Sequence, residues 1–267
     1  MENYKEYFYT NKVLWDKRTE AHITSDFYDM PAFVKGRNSL NKFELDLLGE
    51  LKGKKILHLQ CHFGQDSISL AKMGAEVTAL DFSEESIAQA RAIADKMGTS
   101  VNFVCCNVLE MDQYIEEKFD IVFASYGICG WLPELSKWGA LIAERLAPKG
   151  RFILVDFHPV IWMFDDNFEK ISYSYFNQGA IEELDENTYT DSSIAINKKS
   201  YWWNHSFSDI ISALLDADLQ LMQLKEFDHS PYECFKNMVK TEEGFQIRNM
   251  EGKMPLVYAM EYHNSRG

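Results

Sequence analysis

The feature that most constrains this chain is a rhythm between Lys55 and Phe157, where short apolar runs alternate with stretches of helical pattern. Lys55 to Gln60, Glu76 to Leu80, Val101 to Cys105, Phe119 to Ser125 and Arg151 to Phe157 read as strands. Asp66 to Met73 reads as a short helix closed by Gly74. Ser83 can cap the next helix, with Glu84 and Glu85 in its first turn and Ile87, Ala90, Ala94 and Met97 on one face before Gly98. Pro133 is placed to open a third helix that runs to Leu146. The strands are continuous apolar runs, as strands covered on both faces should be, and their alternation with helices calls for parallel βαβ units.

Outside this stretch the pattern changes. Leu40 to Leu51 reads as a helix with Phe43, Leu47 and Leu48 on one side, within an aromatic-rich N-terminal segment. After Pro159, Ile161 to Asn204 is acidic and aromatic without helical periodicity, and Gly179 to Lys199 is expected to form a hairpin. Phe207 to Ala217 then reads as a helix, and Leu219 to Phe227 and Leu256 to Tyr262 as strands. The sum is an α/β fold: a doubly wound sheet of about seven strands, mostly parallel, with an insertion after the fifth.

Charge and cysteine content exclude several function classes. The 267 residues carry a formal net charge of −14. So acidic a chain repels phosphate backbones, which argues against nucleic acid as a partner. The five cysteines form no C-x-x-C pair and no zinc-like spacing with histidine, so no metal site is expected and reduced thiols are the plain reading. The polar N-terminus offers no signal-peptide core, and no apolar stretch is long enough to span a bilayer. A soluble, cytoplasmic protein with no membrane partner is the expectation.

The segment Ile56-Leu57-His58-Leu59-Gln60-Cys61-His62-Phe63-Gly64 carries the chemistry. It ends a strand and opens a helix at Asp66, the place where an α/β sheet binds a nucleotide-like ligand. About twenty residues later Asp81 ends the second strand, where a carboxylate can accept from both hydroxyls of a ribose. Other candidates read more simply as structure. His58, inside an apolar strand, suits a satisfied core position, Cys105 and Cys106 suit packing, and the run from Glu182 to Glu186 suits a solvated face.

These residues resemble the class I S-adenosylmethionine-dependent methyltransferase family, from about Lys54 to His158. The first motif of that family reads hydrophobic-hydrophobic-Asp-hydrophobic-Gly-Cys-Gly-x-Gly. This chain keeps Cys61 and Gly64 but places His58 at the Asp position and Gln60 and His62 at glycine positions. The run from His58 to Asp66 is similar to a bacterial subgroup whose substrates are largely unassigned. Gly74 to Ser83, Phe119 to Phe123 and Leu146 to Phe152 match the later motifs in order. The resemblance implies a Rossmann-like fold, S-adenosylmethionine as cofactor and a small-molecule acceptor. It also implies cofactor contacts at Gln60, Cys61, His62, Gly64, Asp66, Asp81, Phe82, Asn107 and Ser125. Gln60 or Asp66 would then take over from the missing Asp in holding the methionine amino group, and the Asn107 amide would accept from adenine.

On the acceptor side, His158 follows the fifth strand and Tyr126 the fourth, so both are expected to converge with Trp131 and Tyr28 on the substrate. His158 could act there as a general base, or could simply shape the hinge before Pro159. The implied organisation is one domain with four parts: a helical cap over 1–52, a cofactor-binding core over 53–158, an insertion or lid over 159–204, and completion of the sheet over 205–267. Two other readings stay open: a protein that binds S-adenosylmethionine without transferring its methyl group, and a nicotinamide oxidoreductase. The second lacks the G-x-G-x-x-G that lets a pyrophosphate approach the backbone.

Overall fold

The computed structural model describes residues 4–191 and 193–265. Three helices come first: α1 (Lys5–His22), α2 (Met30–Val34) and α3 (Lys42–Leu48). The alternating core follows as β1 (Lys55–His58), α4 (Gln65–Lys72), β2 (Glu76–Asp81), α5 (Glu84–Lys96), β3 (Asn102–Cys105), β4 (Phe119–Ser125), α6 (Leu135–Arg145) and β5 (Leu146–Phe157). The chain then forms β6 (Ile181–Asp185), β7 (Lys198–Trp202), α7 (Phe207–Leu215), β8 (Leu219–Phe227), β9 (Met238–Lys240), β10 (Phe245–Ile247) and β11 (Val257–Asn264).

Seven strands make one sheet in the order β3-β2-β1-β4-β5-β11-β8. Strands β1 to β5 pair in parallel, and β11 runs antiparallel to both of its neighbours. Side chains alternate between two cores, as the strand pleat requires. Ile56, Ile121, Ile153 and Ala259 pack on one face with α3, α4 and α5. Leu57, Val122, Leu154 and Met260 pack on the other with Trp138 of α6 and Leu214 of α7. Two hairpins stand apart from the sheet, β6 with β7 and β9 with β10. Among the described residues no helix is long and apolar enough to cross a membrane.

Several boundaries differ from expectation for local reasons. Strand β1 ends at His58 rather than Gln60, because Gln60 turns into the left-handed region at φ 50°. Helix α3 is shorter than Leu40 to Leu51. A capping box between Asn41 and Glu44 starts it, and Gly49, at φ 66°, stops it. Pro133 does not open α6, which starts at Leu135 with Glu134 as its N-cap residue. The insertion hairpin lies further along than expected, with its second arm reaching Trp202.

Helix α1 buries Asn11, Arg18, Thr19 and His22 besides Leu14 and Ala21, so its hidden face is largely polar. Hydrophobic periodicity could not reveal such a helix. Asn11 docks it on β7 by bonding both backbone groups of Tyr201, Nδ2 to the carbonyl at 2.7 Å and Oδ1 from the amide at 2.8 Å.

Candidate active site

The strand order turns around between β1 and β4, and ligands in open α/β sheets bind outside the carboxyl ends of strands at such a point. A cavity of about 540 Å³ lies there. The loops after β1, β2, β4 and β5 form its floor, while Trp15, Arg18 and Tyr28 of the N-terminal segment and Tyr173, Tyr189 and Trp202 of the insertion form its other walls.

The loop after β1 is wound tightly. Gln60 and His62 both hold φ 50°, and Gly64 holds φ 77°. A left-handed non-glycine residue costs of order 1–3 kcal/mol, which the surrounding contacts must offset. At Gly64 no side chain fits, since a Cβ would lie 2.8 Å from the Phe103 ring. The loop amides are already engaged. Cys61 donates to the Leu80 carbonyl, His62 to Asp81 Oδ2 and Gly64 to the Cys61 carbonyl, each at 2.9 Å. Gln60 Nε2 reaches the Ile128 carbonyl at 3.4 Å, and its Oε1 is buried without a hydrogen-bond partner among the described residues.

Asp81 is buried at the end of β2 and also accepts from the Ser83 amide at 2.9 Å. Burial pushes its carboxyl up to about 6, against the pull of those amides. Phe82 and Asn107 line the same end of the cavity. Asn107 caps a short 3-10 turn by accepting from the Leu109 amide at 3.0 Å. On the β4 side, Ser125 Oγ donates to Asp66 Oδ2 at 3.1 Å.

Residues 56–150 match the family described as "Methyltransferase domain". The chain is 26% identical over 226 residues to "Uncharacterized methyltransferase YbaJ" of Bacillus subtilis, covering 78% of this chain and 85% of that one. It is 28% identical over 136 residues to the ubiquinone biosynthesis O-methyltransferase of Aeromonas salmonicida, but there it spans only 57% of the relative. Among solved structures, an S-adenosylmethionine-dependent methyltransferase of Mesorhizobium loti shares the fold, with TM-score 0.57 and 16% identity over 86% of this chain and 99% of that one. Another from Clostridium acetobutylicum does so with TM-score 0.57 and 13% identity, over 91% and 94%. Residues 56–150 are thus a methyltransferase domain, on the fold that S-adenosylmethionine-dependent methyltransferases share.

Of the acceptor-side residues expected in this methyltransferase, Tyr126, Trp131 and Tyr28 line the cavity. Tyr126 sits at φ 49° with its ring 5.1 Å from that of Tyr232, and its hydroxyl faces the buried Glu44 carboxyl. Trp131 and Trp15 meet edge to face at 5.3 Å, and the Arg18 guanidinium lies over both rings. Tyr28 bonds the hydroxyl of Tyr189, joining the cap to the insertion.

His158 is the exception, and its expected place beside the acceptor is corrected. The pleat that turns Phe157 toward the cavity turns His158 the other way. Its ring packs against Phe207 at 4.6 Å, its Nε2 lies 2.9 Å from Glu226 Oε1, and its Nδ1 accepts from the Val160 amide at 3.2 Å. This histidine shapes the turn after β5 and holds it against β8 and α7.

Other residues of the methyltransferase site were not legible beforehand. Arg18 pairs with Asp185 across cap and insertion. Asp156, buried in β5, accepts from the amides of Gly127, Ile128 and Cys129 and so sets the loop after β4. Glu44, fully buried, stands beside Tyr126, and burial pushes its carboxyl up to about 7. Arg18's pairing with Asp185 and Glu44's place beside Tyr126 join segments far apart in sequence, so no local pattern signalled them.

Proposed function

We propose that this methyltransferase binds S-adenosylmethionine between the Gln60–Gly64 loop and Asp81 and transfers its methyl group to a small molecule. The observation that carries the choice of cofactor is the state of the loop amides. With those of Cys61, His62 and Gly64 engaged internally, the loop has little left to cradle a pyrophosphate, which a nicotinamide dinucleotide requires. A cofactor without phosphate has no such need. The unpaired Gln60 Oε1 suits an ammonium donor, and Asp81 suits ribose hydroxyls. The non-glycine left-handed residues Gln60 and His62 fit the bacterial subgroup whose first motif runs from His58 to Gly64.

When bound, the sulfonium supplies an already activated methyl group. The protein's own residues then have to position and enclose. Trp15, Tyr28, Trp131, Tyr189 and Trp202 close the cavity from the cap, the loop after β4 and the insertion, exclude water and hold the acceptor in line. Alignment of this kind supplies about 7–11 kcal/mol for well-oriented reactants, so a strong base is not required. A cavity of about 540 Å³ is the size of a small-molecule site, and a net charge of −14 disfavours nucleic acid as acceptor. The five free thiols fit a reducing, cytoplasmic setting.

Calorimetry with S-adenosylmethionine, S-adenosylhomocysteine and NAD tests the assignment. The first two are expected to bind and NAD is not. Binding of NAD alone overturns it. Turnover against an acceptor panel then separates an enzyme from a protein that only binds the cofactor.

A further inference from the structure

The half of the cavity formed by the insertion has a chemistry of its own. Its walls are rings: Trp162 lies 6.2 Å from Phe157, 5.8 Å from Phe235 and 6.4 Å from Trp202, and Trp202 lies 5.1 Å from Tyr173. Carboxylates surround the Tyr173 end. Glu183 accepts the Tyr173 hydroxyl, and the phenol is pushed above its ordinary range first by that bond, then by burial, and further by Asp166 and Asp165. All three acids line the cavity.

Positive charge there is already committed. Lys236 pairs with Asp166 and Arg18 with Asp185, while Arg37 keeps its charge and donates to the Tyr28 carbonyl. Among the described residues, Glu183 has no cationic partner. Ring faces attract a cation, most strongly where solvent is excluded, and a carboxylate beside them without a counterion is left incompletely compensated.

We propose that the acceptor is an amine, captured as its ammonium form against the Trp162–Trp202 wall with Glu183 as its counter-charge; it gives one proton through Glu183 to solvent, and the freed nitrogen lone pair then bonds the methyl carbon as the carbon–sulfur bond breaks and S-adenosylhomocysteine leaves. This rests on the methyltransferase reading above and adds the chemical class of the substrate. An acid would meet Glu183 and Asp165 as like charges, and a neutral alcohol would leave Glu183 uncompensated.

The test uses the full chain saturated with S-adenosylhomocysteine and three probes of similar shape: 2-phenylethylamine, 2-phenylethanol and 3-phenylpropionate. Affinities are read by calorimetry and by quenching of tryptophan fluorescence. The amine is expected to bind at least tenfold more tightly than the alcohol, and the propionate most weakly. Glu183→Gln is expected to reduce amine affinity at least fivefold while leaving the alcohol unchanged. An alcohol or propionate that matches the amine overturns the proposal, as does failure of all three to bind the loaded protein. Either result leaves the methyltransferase reading intact. Failure of S-adenosylhomocysteine itself to bind overturns that reading and this proposal together.

Discussion

His22 Nδ1 lies 2.9 Å from His62 Nε2, and this contact joins the N-terminal helix to the loop after β1. It is the middle of a longer chain. Thr188 Oγ lies 2.6 Å from His22 Nε2, His62 Nδ1 lies 3.0 Å from Ser86 Oγ, and Ser86 Oγ lies 2.6 Å from Thr19 Oγ. Thr19 donates to the Trp15 carbonyl, which assigns one direction to the rest. Ser86 donates to Thr19, His62 to Ser86, His22 to His62, and Thr188 to His22. Both imidazoles are neutral in this arrangement, and each uses both ring nitrogens.

That neutrality gives a pH dependence with a definite sign. Burial, with Arg18 nearby, pushes His62 down to about 3, and burial also lowers His22, reinforced by His62 and Arg18. Folded values below the unfolded one of about 6.5 mean that the stability is fully present above that pH and is lost as pH falls toward 3. Asp81 and Glu44, raised to about 6 and about 7, act in the opposite direction: their share is present below about pH 4 and is lost as pH rises through those values. Comparing wild type with His62→Gln isolates the histidine. Urea denaturation between pH 7.5 and 4.5 is expected to show a shallower loss in the variant, by up to about 1.4 kcal/mol per pH unit. Parallel curves for the two proteins would refute the neutral relay.

Asp81→Ala is expected to weaken S-adenosylhomocysteine binding by about 1.5–3 kcal/mol, the range for a hydrogen bond to a charged group. Circular dichroism has to accompany the titration, because Asp81 also holds the amides of His62 and Ser83. Undiminished affinity in a folded variant would remove Asp81 from the site.

Gln60→Gly separates strain from binding. Glycine takes φ 50° without steric cost, so thermal stability should hold or rise, while loss of the unpaired Oε1 should weaken cofactor binding several-fold. A variant that binds as well as wild type would show that the amide has no cofactor partner.

His158→Gln should leave the pH–rate profile unchanged, because the ring faces Glu226 and Phe207 rather than the cavity. It should lower stability by about 0.5–1.5 kcal/mol, the typical contribution of a hydrogen bond. An acidic limb in the wild-type profile that disappears in the variant would return His158 to the reaction.

Gly139→Ala tests the contact between α6 and α7. In an exposed helix that change gains up to about 1 kcal/mol. Here a Cβ would lie 2.4 Å from the backbone oxygen of Ala213, so a loss of about 1–3 kcal/mol is expected from overpacking. An increase in melting temperature would show that the helices separate at little cost.

The strand and helix pattern from Lys55 to Phe157, the turn at Gly64 and the acid at Asp81 were legible in the sequence, because each rests on local physics: apolar runs, caps and a residue that must accept positive φ. The same local physics could not place α1, whose buried side is polar, or distinguish the faces of the turn after β5, where one step of pleat sends Phe157 inward and His158 away. Nor could it pair Arg18 with Asp185 or His22 with His62, since those contacts span 167 and 40 residues and exist only once the N-terminal helix meets the insertion and the loop after β1. The sequence by itself determined the sheet and the place of the cavity at the carboxyl ends of its strands. Only the tertiary structure decided which side chains face that place, because burial and hydrogen bonding between distant segments, rather than local propensity, orient them.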